Sequence, residues 1–526
     1  MLERKRLIHA VVILLCLAYL AGLLYYAAVR SIDQDEGFYA TAARLVWEGK
    51  APYRDFFYQQ APLLPYIYSW IWTIHPRSLL AMRFLSAAFG GLTVLLWGLC
   101  LLSAKRLPTK AALAVFAAVL LNPYWVSWNV VVKTFAVANL LMSIAAICLY
   151  AALHSERARW YFFAGLALGL CASVRSLYGP LIPFVLLWLL YGEWKTSKLP
   201  YPKTLTLLAG ATLGLLPIIV SFVADPHAFI FNNIQYHGLQ AGWRWHAGKF
   251  VTGYGSVGQT VLIYFAAIVI RLIVFHPYFT AELVLATVGG LSLLKLHKTG
   301  QGPFTNQDYL YIQLAFLMLV VYTATALIPF PPYDQYFDGP LLPFLIPFMA
   351  EGLRVAFSRG RSWVVLAIAA AVIFSAGEIS REATENSAET FWQLPSYSQV
   401  AKAIEANSSP DDCVLSLWPG WVFESGRRYF PGLEDQFVFR IMNVINPEAR
   451  ARYHVVSRDD VVRAVSTRAA HLLVLARWSE YFNGMSPGEV EAFYTTVQAN
   501  YALVRKIDDV EIYRRLPATN IARVLR

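Results

Sequence analysis

Ser31-Ile-Asp-Gln-Asp-Glu-Gly-Phe-Tyr39 follows an almost unbroken apolar run over residues 7–29 and places Asp33, Asp35 and Glu36 just beyond it. A run of that length crosses a bilayer as a helix. The three carboxylates therefore stand at the lipid–water boundary, where a lipid-linked substrate presents its polar head. Ionisable groups at membrane depth are costly to keep, which favours a functional reading. The alternative is that Asp35 only caps a helix beginning at Glu36, although one residue can both cap and react.

Hydrophobic residues fill 57% of the 526 positions and charged residues 15%, so the chain is an integral membrane protein. Its 16 Trp and 30 Tyr suit the interfacial belts of such proteins. The net charge of +11 is not the footprint of a nucleic-acid binder. Cations sit in short clusters between apolar runs: Arg4-Lys5-Arg6, Lys105-Arg106, Arg157 with Arg159, Lys195 with Lys198 and Lys203, Lys295 with Lys298, and Arg354 with Arg359 and Arg361. That is the pattern of cytoplasmic loops. Cys16, Cys100, Cys148 and Cys171 fall inside apolar runs and Cys413 stands alone in the polar C-terminal part, so no disulfide framework or zinc spacing emerges. The first run lacks a signal-peptide cleavage pattern and reads as a retained anchor.

Spanning runs are expected near residues 7–29, 79–102, 111–128, 132–152, 160–175, 178–192, 204–223, 278–294, 309–328, 338–357 and 362–377. Residues 257–275, with Arg271 near their end, are ambiguous. With Arg4–Arg6 inside, loop 30–78 lies outside and the Lys105, Arg157 and Lys195 clusters fall inside. If 257–275 lies along or dips into the outer face, the later basic clusters are cytoplasmic too. This favours about eleven crossings, with the C-terminal part outside. A twelfth crossing would reverse the C-terminus.

The expected fold is thus a polytopic α-helical membrane domain over residues 1–377, followed by a small soluble α/β domain over 378–526 on the non-cytoplasmic side. Two outer loops, 30–78 and 224–277, are long. In the first, Tyr39, Ala43, Val46 and Trp47 follow the helical repeat, as do Leu63, Tyr66, Ile67, Trp70, Ile71 and Ile74, so two amphipathic helices are expected, of the sort that can lie in the interface plane with the apolar face in lipid. The second loop holds Asn232-Asn-Ile-Gln-Tyr-His-Gly238 and the cationic, aromatic run Trp243-Arg-Trp-His-Ala-Gly-Lys249. Beyond Glu378, strands are expected at Cys413-Val-Leu-Ser-Leu-Trp, His471-Leu-Leu-Val-Leu-Ala and Val510-Glu-Ile-Tyr, and helices over 397–406 and 487–500. No phosphate-cradling glycine loop, nucleophile elbow or metal motif is found there.

Asp33-Gln-Asp-Glu-Gly-Phe-Tyr-Ala, Glu48-Gly-Lys-Ala-Pro-Tyr-Arg-Asp55 and Gln59-Gln-Ala-Pro-Leu-Leu-Pro-Tyr66 together resemble the first outer loop of GT-C glycosyltransferases. The resemblance is to the bacterial branch related to protein O-mannosyltransferases and lipid A aminoarabinose transferases. It implies an enzyme that takes a sugar from a polyprenyl-phosphate carrier and transfers it to an acceptor outside the cytoplasm. It also implies that Asp35, the first acid of the Asp-Glu pair, is the catalytic base. Tyr39, Tyr58 and Gln60, within the matched loop, join the expected substrate contacts. Aminoarabinose transferases carry a Lys before the Pro-Pro of the second amphipathic helix, where this chain has Gln60-Ala61, so either phosphate is neutralised elsewhere or the donor head differs. Related enzymes often place an acid near the start of the fourth span, where this chain has Lys133-Thr-Phe-Ala-Val-Ala-Asn139.

The chemistry agrees with the resemblance. A lipid phosphate departs without a proton, whereas the acceptor hydroxyl needs a base, a service of about 10²–10⁴-fold. The phosphate's growing charge needs cations, each contributing on the order of 3 kcal/mol. Candidates on the outer side are Arg83, Lys133, Arg175, Arg244, Lys249 and Arg271, with Arg175 foremost because it ends a short span. Pro331-Pro-Tyr-Asp-Gln-Tyr-Phe-Asp-Gly-Pro340 resembles a late outer loop of these enzymes, offering Asp334, Gln335 and Tyr336 to the cavity mouth; a proline-fixed interfacial turn is the other reading. Single displacement would invert the anomeric centre, while a double displacement would draw its nucleophile from Glu36 or Asp33. The carboxylates also admit a divalent metal, without a complete ligand set.

The expected partners are a lipid-linked sugar donor, membrane lipids, and an envelope glycan, lipid A or its core, or a protein as acceptor. The site is a bacterial cytoplasmic membrane, with chemistry and C-terminal domain on its periplasmic or exterior side. A flippase for lipid-linked sugars is the second reading, although matching broken halves are not evident in the sequence. An assembly protein merely anchored by its bundle ranks third, since anchoring needs far fewer spans. A reporter fused to the C-terminus and active only outside the cytoplasm should give signal; silence would mean a twelfth crossing.

Overall fold

The computed structural model describes residues 2–104, 107–196, 201–246, 257–300, 303–329, 332–358, 360, 366, 369–377, 380 and 392–517. In chain order its helices begin α1 Leu2–Val29, α2 Glu36–Trp47, α3 Leu63–Ile74, α4 Leu79–Ser103, α5 Thr109–Leu120 and α6 Pro123–Trp128. There follow α7 Thr134–Ser155, α8 Ala158–Val174, α9 Leu181–Lys195, α10 Pro202–Gly214, α11 Leu216–Ala224, α12 Pro226–Ile230 and α13 Tyr236–His246. The membrane part ends with α14 Val257–Val274, α15 Pro277–Thr299, α16 Asn306–Ala326 and α17 Asp338–Ser358. The chain divides into two compact units. One comprises Met1–Ala27, Phe84–Ile219 and Tyr254–Glu382; the other joins Ala28–Arg83 and Val220–Gly253 to Ala383–Arg526.

Seven helical segments among the described residues are long and apolar enough to cross a membrane: Leu7–Val29, Leu79–Ser103, Thr134–Ser155, Ser176–Lys195, Pro277–Thr299, Asn306–Ala326 and Asp338–Ser358. The pair α10–α11 makes an eighth if counted as one span bent by 55°. The bend falls where Pro217, in the first turn of α11, cannot donate a backbone hydrogen bond. The run expected to span over 111–128 is instead broken into α5 and α6. Asn122 accepts the Trp125 N–H at 2.8 Å and Pro123 opens the new helix, so an Asn-Pro pair inside an apolar run restarts the helix. The expected span at 362–377 lies largely outside the described residues.

In the first unit the closest helix packing depends on glycine. A Cβ on Gly165 of α8 would strike the Leu207 carbonyl of α10, and one on Gly210 would strike the Phe162 carbonyl of α8. Gly169 and Gly214 repeat the approach one turn on. Small residues four apart on both partners let the backbones touch, which is how helices gain van der Waals contact in lipid.

In the second unit, α2 is enclosed by protein. Every residue from Glu36 to Leu45 is buried, and α2 packs on α3 and on a short helix, Gly420–Ser425. Arg44 explains the enclosure: it donates to Glu48 at 2.7 Å and to the Gly426 carbonyl at 3.1 Å. Its guanidinium also lies over the Trp72 and Tyr429 rings. By contrast α3 keeps an open apolar side, with Tyr66, Trp70 and Ile74 exposed.

The C-terminal residues form a five-stranded sheet in the order β2-β1-β3-β5-β4. The strands are β1 Cys413–Ser416, β2 Arg428–Tyr429, β3 Leu472–Leu475, β4 Tyr501–Ile507 and β5 Val510–Arg515. β1 runs parallel to β2 and β3, while β5 is antiparallel to β3 and β4. Leu472-Leu-Val-Leu475 is continuously apolar because all four side chains are buried. Helices Leu394–Ala406 and Pro487–Asn500 occupy the expected places, the second opened by a reciprocal Ser486–Glu489 cap.

Replacing Gly165 or Gly210 by Leu should cost at least about 1–3 kcal/mol through overpacking. The thermal midpoint in detergent should fall accordingly. Gly192→Ala, where a Cβ meets nothing within 4 Å, should leave it unchanged or slightly raised.

Candidate functional site

The first outer loop folds around a buried ion pair. Arg83, in the first turn of α4, donates from Nε to Glu36 Oε1 at 2.9 Å and from Nη2 to Glu36 Oε2 at 2.5 Å. Both side chains are fully buried. The same guanidinium reaches the Arg30 carbonyl at 2.8 Å and the Ser31 carbonyl at 3.0 Å. Arg83 is therefore committed to the loop's own fold, which does not fit its expected place at a carrier phosphate. Glu36 is locked in the same pair.

Helix α2 is started by Asp33 and Glu36. Asp33 N–H donates to Glu36 Oε2 at 2.9 Å, and Asp33 Oδ1 accepts the Asp35 N–H at 2.9 Å. Asp35 occupies the cap position, yet its side chain makes no capping hydrogen bond. The capping-only reading of Asp35 thus fails, while its carboxyl remains half-buried. Around this loop Tyr39 and Tyr58 stand edge to face at 6.5 Å, and Phe38 meets Phe437 at 5.3 Å. Tyr58 N–H donates to Asn232 Oδ1 at 3.1 Å, and the Gln60 carbonyl accepts from the Tyr53 hydroxyl at 2.5 Å.

The C-terminal part contributes to the same loop. The Gln34 carbonyl accepts from Trp418 Nε1 at 2.9 Å and from Gln436 Nε2 at 3.2 Å. Ile32 N–H donates to the Trp392 carbonyl at 2.6 Å. Burial raises the pKa of Asp435, and the Asp35 charge adds to the rise.

A separate set of cations lies within the other unit. Arg175, at the C-cap of α8, donates to Thr134 Oγ1 at 3.0 Å and rests over the Phe135 and Tyr336 rings at 4.4 and 4.8 Å. Lys133, at the N-cap of α7, lies over the Trp128 ring at 4.7 Å. Trp128 touches Phe135 and Tyr124, and Tyr124 touches the His276 ring. His276 Nε2 and Arg271 Nε share Asp334 Oδ2 at 3.2 and 2.8 Å, and His276 Nδ1 lies 3.7 Å from Asp338. Gln335 N–H donates to Asp334 Oδ1 at 3.0 Å. Contacts therefore close into a ring of aromatics and cations through Lys133, Arg175, Tyr336, Asp334, Arg271 and His276.

Burial alone would lower the pKa of His276, but the Asp334 hydrogen bond and the charges of Asp338 and Asp334 outweigh it and raise it. Burial likewise pushes Asp334 upward, yet His276 and Arg271 hold it below the usual carboxylate range. Asp334 thus organises two cations instead of meeting an anion itself. Nothing in sequence spacing singled out His276, which stands alone before a proline.

The Arg244 side chain and all of Lys249 lie outside the described residues. Among the described residues, no three His, Cys, Asp or Glu side chains are grouped to hold a metal ion.

Losing one partner of the Glu36–Arg83 pair leaves a buried charge, at a cost of about 3–5 kcal/mol. Glu36→Gln and Arg83→Met should each lower the thermal midpoint sharply, and the double variant should recover much of the loss. Equal additive losses would show that the pair does not couple.

Residues 59–222 match the family model described as dolichyl-phosphate-mannose-protein mannosyltransferase. No curated protein sequence matches the chain. Among solved structures, ArnT from Cupriavidus metallidurans bound to undecaprenyl phosphate superposes with a TM-score of 0.63 at 14% identity, covering 97% of this chain and 98% of that one. The apo state of the same protein gives 0.62 at 14% identity, over 96% and 98%. The S. cerevisiae protein O-mannosyltransferase Pmt1-Pmt2 complex bound to its sugar donor is more distant, at 0.33 and 18% identity over 44% of this chain and 34% of that one. The chain has the GT-C fold that its loop motifs imply, in a multi-pass membrane protein with a small C-terminal sheet.

Proposed function

We propose that the protein is an inverting glycosyltransferase that moves a sugar from a polyprenyl-phosphate donor to an acceptor hydroxyl at the outer face of a bacterial cytoplasmic membrane. Asp35 is the general base; Arg175 and Lys133, with Arg271 and His276, receive the carrier phosphate. The observation that carries the reading is the division of labour in the first loop. Glu36 is taken by the buried ion pair with Arg83, whereas Asp35, at the N-cap of α2, makes no side-chain capping hydrogen bond and is a half-buried residue at the start of the helix. The family-model match over residues 59–222 supports a glycosyl-transfer chemistry. That an ArnT of the same fold was solved with undecaprenyl phosphate supports the carrier class.

In the step, the acceptor hydroxyl gives its proton to Asp35 while its oxygen attacks the anomeric carbon. The bond from that carbon to the phosphate oxygen breaks, and its electron pair leaves with the phosphate. The diester's single negative charge becomes the monoester's two, and cations lower the cost of that gain. With Glu36 locked on Arg83, a single displacement is favoured and the anomeric centre inverts. The C-terminal domain, residues 378–526, lies on the same outer side in this reading, and the acceptor is an envelope glycan, a lipid or a protein.

Asp35→Asn in proteoliposomes supplied with a polyprenyl-phosphate sugar should lower transfer by about 10²–10⁴-fold without lowering the thermal midpoint. Arg175→Gln should lower it by about 10²-fold. Normal turnover by Asp35→Asn would overturn the base, and retained anomeric configuration would overturn single displacement.

A further inference from the structure

His276 precedes a proline in the sequence, and the fold sets its ring between two acids. The residue sits at the N-cap of α15 without making a side-chain cap, so its ring nitrogens serve other partners. Nε2 meets Asp334 Oδ2 at 3.2 Å, and Nδ1 meets Asp338 Oδ2 at 3.7 Å. A neutral imidazole carries one N–H, so one of the two carboxylates would face a bare lone pair. Only the imidazolium, with a proton on each nitrogen, serves both.

Asp338 is 1% exposed and lies in the first turn of α17, where the helix end favours a carboxylate. A sealed charge needs an opposite one beside it, and the His276 ring supplies it. Asp334 is engaged differently. Its Oδ2 takes Arg271 Nε at 2.8 Å as well as His276, and its Oδ1 accepts the Gln335 N–H at 3.0 Å. Two cations therefore divide one carboxylate oxygen. Arg271 spends Nε there, and with its side chain 64% exposed the guanidinium has further N–H donors to offer a ligand.

We propose that Asp338 is a positioning residue of the donor site: with Asp334 it keeps His276 an imidazolium, which takes up part of Asp334 and so spares Arg271 for the carrier phosphate. Donor affinity then falls as the ring gives up its proton. This rests on the reading of Arg271 and His276 as part of the phosphate site. While the imidazole is charged, two cations and two carboxylates cancel. Once it is neutral, one negative charge is left over, Asp334 draws on Arg271 alone, and an anionic donor is repelled.

The groups facing the imidazole are Arg271 from α14, Asp334 from the turn before α17, Asp338 from α17, and the Tyr124 ring of α6 at 5.9 Å. Glu282, farther along α15, is engaged by Asn122 Nδ2 at 3.0 Å. Burial pulls the His276 pKa down and Arg271 adds to that, but the two acids outweigh them and the net shift is upward. The stability that the imidazolium contributes is therefore full below the ordinary His value of about 6.5, and is lost as pH rises through the raised one.

The test measures binding of undecaprenyl methyl phosphate to the full-length protein in detergent, from about pH 6 to about pH 9. That diester keeps a single charge throughout, so a step in affinity belongs to the protein. Wild-type Kd should rise at least about tenfold across the range. His276→Gln should bind at about pH 6 as weakly as the wild type does at about pH 9, and show no step. Asp338→Asn should keep the step but move it about one unit lower, because the charge beside Nδ1 is gone. A flat wild-type profile overturns the proposal, as does a step retained by His276→Gln or left in place by Asp338→Asn. NMR of isotope-labelled histidine reads the ring without a ligand or a folded Asp338 variant. The signal missing from His276→Gln should show mostly doubly protonated nitrogens at about pH 7; a neutral tautomer there overturns the proposal. Sugar transfer is scored separately. A step in binding without transfer overturns the enzyme reading and leaves the proposal standing, whereas transfer with a flat profile overturns the proposal alone.

Discussion

Glu36 and Arg83 cancel one another's charge in a place without solvent, and the first outer loop takes its form from that fact. A buried guanidinium must find acceptors for its donors, and this one finds the Glu36 carboxylate and two carbonyls of the preceding turn. The segment between α1 and α2 is thereby wrapped around a single cation. Side chains at neighbouring helical positions project about 100° apart. With Glu36 drawn inward, its neighbour is turned elsewhere. The pair adds little net stability by itself; its value lies in orientation.

The cationic ring of the other unit works by different physics. Arg175 and Lys133 lay their charged heads on aromatic faces, which attract cations and lose nothing by being dry. Arg271 and His276 share one carboxylate. Such a ring keeps positive charge available at the end of an apolar bundle, which suits a ligand with a greasy tail and an anionic head.

Much of this was legible in the chain. The apolar runs gave the bundle, α2 and α3 sit where the repeats of Tyr39 to Trp47 and Leu63 to Ile74 place them, and β1, β3 and β5 lie on the expected apolar stretches. Lys133, Arg175, Arg271, Asp334 and Tyr336 do come together. What escaped was anything decided by distant partners. Arg83 reads as an exposed cation until Glu36 is seen beside it. The period of α2 suggests a lipid face because the C-terminal residues covering it are hundreds of positions away. Likewise Gln436 has no local pattern: its meaning comes from reaching Gln34. The break at Asn122-Pro123 was readable from capping chemistry but is masked by the apolar run around it.

The acidic loop is held by Trp418 and Gln436, at separations of 384 and 402 residues from Gln34. Contacts that remote form last as a chain emerges from the ribosome. A half-made protein therefore lacks the clamp that shapes its acidic turn. The shape of that turn therefore waits on the end of translation.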